Sequence, residues 1–119
     1  MSADIKRSVK IAQVDMRMLQ CEIDGNVATP VASGFDGKQI KEIVDNGPGD
    51  YTIILKRPFS PSNANKAKAF VQVLEPDRIA YISAVDYDRV TVTILDVAGV
   101  AADASFSIMI LGCNHRFNY

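Results

Sequence analysis

The sequence predicts an all-β chain folded as one antiparallel β-sandwich, jelly-roll-like or immunoglobulin-like, with about seven or eight short strands. Three observations predict it. Val90, Val92 and Ile94 alternate with Thr91 and Thr93. Phe106, Ile108 and Ile110 alternate with Ser105, Ser107 and Met109. A period of two gives each segment one apolar face, as in a sheet buried on one side. Third, Asn46-Gly47-Pro48-Gly49-Asp50 separates Glu42-Ile43-Val44 from Tyr51-Thr52-Ile53-Ile54-Leu55 and reads as a hairpin turn.

The elements follow in order. Residues 1–10 read as an N-terminal arm, loosest over Met1–Lys6, and 11–119 as one sandwich domain with a short C-terminal tail. Ser8–Val14 is a candidate first strand with Val9 and Ile11 on one face. In Met16–Ile23, Met16 and Met18 point one way and Leu19, Cys21 and Ile23 the other, and the shift suggests a bulge or bend. A helix over Asp15–Ile23 is the alternative, since Met16, Leu19, Gln20 and Ile23 share a helical face. Asp24-Gly25-Asn26 ends this element as a turn.

Thr29–Gly37, with one Pro and two Gly, reads as a loop. Lys38–Val44 fits either one helical turn capped by Asp36 or a strand. The strand is preferred, because an isolated helix that short is marginal and Tyr51–Lys56 offers a hairpin partner. Pro58–Asn65 reads either as a short helical turn, with Ser60 as cap and Pro61 at its first position, or as a wide connection between sheets. Ala69–Leu74 is the next strand. Arg78–Val85 follows, with Ile79, Tyr81 and Val85 on one side and Ala80, Ile82 and Ala84 on the other, a pattern expected of a strand covered on both faces. Asp86-Tyr87-Asp88 turns into Arg89–Leu95, and Ala104–Leu111 is the last clear strand.

Composition bounds the function. A chain of 119 residues is one domain's worth. Thirteen Lys and Arg against 14 Asp and Glu leave a net charge of −1. That balance supports no long-range positive field, so no nucleic-acid partner is expected. It also gives little colloidal repulsion, which suits association with protein. The longest strongly apolar run, Ile108–Leu111, is far short of the ~20 residues of a membrane span, so no membrane partner is expected. Lys6, Arg7 and Lys10 precede no apolar stretch of the kind a secretory signal carries. Cys21 and Cys113 are too few for a disulfide framework and read as buried, reduced thiols in a reducing compartment.

No residue pattern specifies chemistry, and neither a catalytic residue, a metal ligand nor a cofactor is expected. His115 and Cys113 lie close in sequence, but a structural zinc needs four ligands and only Cys21 offers another sulfur. As a nucleophile pair they lack a third group to orient the imidazole. Asp86 and Asp88 sit at one end of Arg89–Leu95 and Asp96 at the other, more than ~20 Å away at ~3.4 Å per residue. Asp96 and Asp103 could share an end with loop carbonyls as a calcium site. Turn-building through local backbone bonds is the preferred role for all four. Gly47-Pro48-Gly49 lacks the Lys-Ser or Lys-Thr of a phosphate loop. Lys56, Arg57, Lys66 and Lys68 have no interleaved aromatic residues to stack bases. A small hydrolase built from carboxylates that meet in space is a remaining class, without an aromatic-rich groove to support it.

Two stretches carry a resemblance. Ile43-Val44-Asp45-Asn46-Gly47-Pro48-Gly49-Asp50-Tyr51-Thr52-Ile53 resembles the turn, Gly, x-Tyr-Thr, strand segment of small tailed-phage virion domains, and Phe59 resembles the aromatic residue that ends that strand. Val90-Thr91-Val92-Thr93, then Asp96, Gly99, Asp103, Phe106 and Ile110, resemble their closing hairpin. Such domains occur in capsid decoration (cement) proteins and in fibre or spike tips. The resemblance covers about Lys38–Gly112 and implies a β-sandwich, frequent three-fold assembly as a homotrimer and no enzymatic activity. The lack of a long repetitive shaft favours a capsid-bound role, with the major capsid protein as partner and the virion surface as location after assembly in the host cytoplasm. Ile5, Lys6, Arg7 and Lys10 in the arm and Phe117 and Tyr119 in the tail are then the candidate contact residues. A receptor- or glycan-binding tip would instead use exposed loop residues such as Tyr87, Asn63 and Asn65.

Overall fold

The structure is a computed structural model that describes residues 16–59 and 67–113. Among these residues eight strands form: β1 (Met16–Ile23), β2 (Ala32–Ser33), β3 (Ile40–Gly47), β4 (Asp50–Leu55), β5 (Lys68–Val73), β6 (Arg78–Val85), β7 (Arg89–Asp96) and β8 (Phe106–Cys113), with a short 3-10 turn over Gly37–Gln39. They pair into two four-stranded antiparallel sheets, sheet A in the order β2-β1-β8-β5 and sheet B in the order β3-β4-β7-β6. The expected sandwich is present. Its four-plus-four arrangement differs from the four-plus-three sheets of an immunoglobulin constant domain.

Strand alternation builds the core. Sheet A turns Leu19, Cys21, Ile23, Phe106, Ile108 and Ile110 inward. Sheet B answers with Tyr51, Ile53, Leu55, Val90, Val92 and Ile94, all essentially inaccessible. Tyr51 and Phe106 meet across the layers with ring centroids 5.4 Å apart. Burying a side chain of this size contributes roughly 1.5–3 kcal/mol, so these alternating positions dominate the fold's stability.

Three sequence expectations need correction. First, β1 carries no bulge and is not a helix: it pairs with β8 without a shift from Met16↔Cys113 to Ile23↔Phe106. The pattern misleads because Arg17 occupies an inward position and Met18 an outward one. Second, Lys38 belongs to the 3-10 turn, and the strand starts at Ile40. Third, β6 is covered on one face only. The register slips between Ile82 and Ala84, so Ala84 pairs with outward Thr91 and Val85 with inward Val90. Ile79 and Tyr81 stay exposed on the outside. The Thr29–Gly37 loop contains β2, and residues 1–10 and Ser8–Val14 lie outside the described residues.

The sandwich has two distinct ends. The β1–β2, β3–β4, β5–β6 and β7–β8 connections gather at the first. At the second, Met16 pairs with Cys113, Lys68 pairs with Leu111, and the Phe59 N–H donates to the Tyr87 carbonyl in the β6–β7 turn. The chain therefore enters at Met16, departs after Phe59, returns at Ala67 and exits at Cys113, all at the second end.

Candidate functional site

At the first end, the polar side chains that chemistry would need are spent on joining loops. Asp103 Oδ1 accepts from the Tyr51 hydroxyl at 2.7 Å and the Gly49 N–H at 2.9 Å. The same hydroxyl lies 2.8 Å from the Gly25 carbonyl, so Tyr51 ties the β1–β2 turn to the β7–β8 connection. Burial, then the Asp103 contact, pushes the Tyr51 phenol far above its ordinary pKa, and it stays protonated. Glu75 Oε2 accepts from the Ser105 N–H and from Asn26 Nδ2, both at 2.6 Å. These bonds hold the half-buried Glu75 carboxyl below its ordinary range. Asp24 Oδ1 accepts from the Asn26 N–H and the Ser105 hydroxyl.

The remaining aspartates build turns. Asp96 Oδ1 accepts from the Ala98 and Val100 N–H groups. Asp86 caps the Tyr87 N–H, and Asp88 pairs with Arg89 at 3.1 Å on the surface. Asp96 and Asp103 thus serve different loops. Among the described residues no group of three or more His, Cys, Asp and Glu side chains is placed to hold a metal ion. No helix among them is long and apolar enough to cross a membrane.

At the second end lies a group that sequence reasoning missed. Arg17 is only 8% exposed, on the inner side of β1. Its guanidinium donates to the Arg57 carbonyl at 2.6 Å and to Gln39 Oε1 at 3.1 Å, and lies 4.6 Å over the Phe59 ring. Burial, aided by nearby Arg57, lowers its pKa, with Asp36 opposing. An Arg remains charged even so. Arg17 is a clamp that fastens β1 to the stretch after β4. The signal for it was a cation at an inward-facing strand position.

Of the other candidates, Cys21 is buried and unbonded, and burial pushes its thiol up to about 11, with the Asp36 and Glu22 carboxylates adding to the shift. Tyr87 is exposed in the β6–β7 turn, and Lys56, Arg57 and Lys68 are exposed. Ile5, Lys6, Arg7, Lys10, Asn63, Asn65, Lys66, His115, Phe117 and Tyr119 lie outside the described residues. The segments that carry them all join the sandwich at its second end.

The outer faces differ in chemistry. On sheet B, Asn46 Nδ2 donates to Thr52 Oγ1 at 2.9 Å, and Thr93 Oγ1 donates to Ser83 Oγ at 3.1 Å, a mutually satisfied hydroxyl surface. On sheet A, the pairing places Met18, Leu111 and Lys68 in one row, Gln20, Met109 and Phe70 in the next, and Glu22, Ser107 and Gln72 in the third. Met18 is 55% and Phe70 52% exposed. Gln20, Phe70, Gln72, Ser107 and Met109 line a shallow open hollow of ≈ 210 Å³ there. This face can offer broad apolar contact. It holds no acid–base pair.

No family model matches the chain. No curated protein matches it either. Among solved structures, the phiAB6 tailspike in complex with three-repeated oligosaccharides of Acinetobacter baumannii surface polysaccharide aligns at 14% identity with a TM-score of 0.40. The alignment covers 79% of this chain and 20% of the tailspike chain, so this chain spans about a fifth of that length. A likeness at that level bears on neither fold nor function.

Proposed function

We propose that this chain is a virion structural protein that binds the outer surface of a phage capsid and reinforces it, without catalysis. The observation that carries the reading is the outer face of sheet A, where Met18, Leu111, Met109 and Phe70 form a contiguous apolar patch bordered by Gln20, Gln72 and Lys68. Broad, shallow contact of this kind suits a protein surface. The sequence resemblance over about Lys38–Gly112 supplies the partner, the major capsid protein, and three copies grouped on the shell.

Magnitude supports an auxiliary contact. The four strands of sheet A have 8, 2, 8 and 6 residues, which at ~3.4 Å per residue and ~4.8 Å between strands give a face of about 400 Å². A stable interface needs roughly 800 Å² per partner. Additional chain must therefore contribute, and the arm at 1–10 is the candidate, since the described chain begins at Met16 at the second end. The test is co-sedimentation with assembled shells. Met109→Lys and deletion of residues 1–10 are each expected to leave the sandwich folded and to lower occupancy. Unchanged occupancy in both overturns the reading. A glycan-binding tip is the second reading, favoured by the exposed Tyr87 between two acidic turn residues. Tyr87→Ala would then abolish carbohydrate binding and leave shell binding at background.

A further inference from the structure

We infer that β5 is a self-association edge, on which a second copy of the chain adds its own β5 antiparallel about a two-fold axis through Phe70. The inference goes beyond the proposed function and does not depend on it.

Among the described residues the two sheets have four edge strands, β2, β5, β3 and β6, and an unprotected edge is a template for another strand. Three of the four are blunted. β2 has only two residues. β3 is irregular between Ile40 and Glu42 and again between Asp45 and Gly47. β6 slips between Ile82 and Ala84. β5 alone keeps an unbroken register, from Lys68↔Leu111 to Val73↔Phe106. Its sequence, Lys-Ala-Phe-Val-Gln-Val, has no Pro or Gly.

The direction of its free backbone groups follows from one bond. The Leu74 N–H donates to the Ser105 carbonyl at 2.9 Å, which continues the β5–β8 register. Backbone groups alternate sides along a strand, so Phe70 and Gln72 bond β8, while Ala69, Val71 and Val73 point their N–H and C=O away from it. Among the described residues these groups have no backbone partner on that side. Their side chains face the core.

That pattern is self-complementary. In a two-fold pair, Ala69 of each copy exchanges both backbone bonds with Val71 of the other. Phe70 then meets Phe70 at a non-bonded position, where opposed side chains are closest and Cα atoms are ~4.5 Å apart. An aromatic cross-strand pair is among the favourable ones. Lys68 falls opposite Gln72, so no like charges meet. The net charge of −1 leaves little repulsion between copies. The pair also fuses two sheet A outer faces into one eight-stranded surface of about 800 Å². If the virion reading holds, that doubled face reaches the roughly 800 Å² per partner that a stable interface needs. The free chain is then a dimer, and three-fold grouping belongs to the shell-bound state.

Sedimentation and cross-linking test this on the full chain. The native protein is expected to sediment at twice the chain mass. In a Cys113→Ser background, Phe70→Cys is expected to form an intermolecular disulfide on mild oxidation, because its Cα spacing lies within disulfide reach. Gln72→Cys is expected not to, because the two copies of that position are ~13 Å apart. Val71→Pro removes an outward N–H and no β8 bond, so it is expected to fold and to sediment as a monomer. Phe70→Lys places two cations on the axis and is expected to give the same loss of the dimer. It decides the matter if Val71→Pro fails to fold. A native monomer, equal cross-linking at 70 and 72, or a native mass retained by Phe70→Lys overturns the inference.

Discussion

Tyr51 shows how single side chains hold this fold. It contributes a buried ring to the core and a hydroxyl to Asp103 and Gly25. Tyr51→Phe keeps the ring and removes the one hydroxyl proton that the Asp103 and Gly25 oxygens share, while Asp103 keeps the Gly49 N–H. It is expected to lower stability by about 1–3 kcal/mol, read as a lower denaturation midpoint. Cys21 makes the opposite point. With its thiol buried and its pKa raised to about 11, it is expected to resist alkylation at pH 8 until the protein unfolds, as mass spectrometry would record. The burial of Cys21 was legible in the alternation of Leu19, Cys21 and Ile23. The Arg17 clamp was not, because its partners are the carbonyls of Arg57 and Pro58, about forty residues away, and backbone acceptors leave no mark in a sequence.

At the scale of elements, alternation was the reliable guide. Val90, Val92, Ile94, Phe106, Ile108 and Ile110 all face the core, as their spacing with Thr and Ser requires. Ile108→Ala is expected to cost about 2–5 kcal/mol in chemical denaturation. The β3–β4 hairpin was legible too, and its chemistry is specific. Gly49 adopts φ +63, and a Cβ there would overlap the Ile94 carbonyl. Gly49→Ala is therefore expected to destabilise the hairpin and the β4–β7 pairing beside it, with faster amide exchange at Tyr51 and Ile53. Gly112 is constrained by packing alone: an added Cβ would lie 2.6 Å from the Phe59 ring. Pattern reading failed where a strand departs from strict pairing. In β6 the slip after Ile82 reverses the facing of Ala84 and Val85, and the period of two carries no warning of it.

At the scale of the molecule, the two ends have separate roles. The first end is closed by carboxylates that accept from other loops. Glu75 has its pKa depressed in the folded state, so the stability it contributes is complete above the ordinary carboxylate range and is lost as pH falls through the lower folded value. Acidification below about pH 4 is expected to loosen this end, and Glu75→Gln to flatten that pH dependence, by thermal melts across pH 2–7. The second end gathers every point where the described chain meets residues 1–15, 60–66 and 114–119. The sandwich itself was legible in the sequence. The apolar outer face of sheet A was not, because Met18, Phe70, Met109 and Leu111 come from three strands and become neighbours only through the β1–β8–β5 register.

Attachment to the outside of a capsid is tested by imaging intact particles that carry labelled protein. Decoration is expected to give density repeated over the shell at equivalent local symmetry positions, with the outer face of sheet A turned toward the capsid protein. Density confined to the tail end, or absent from the particle, would contradict it.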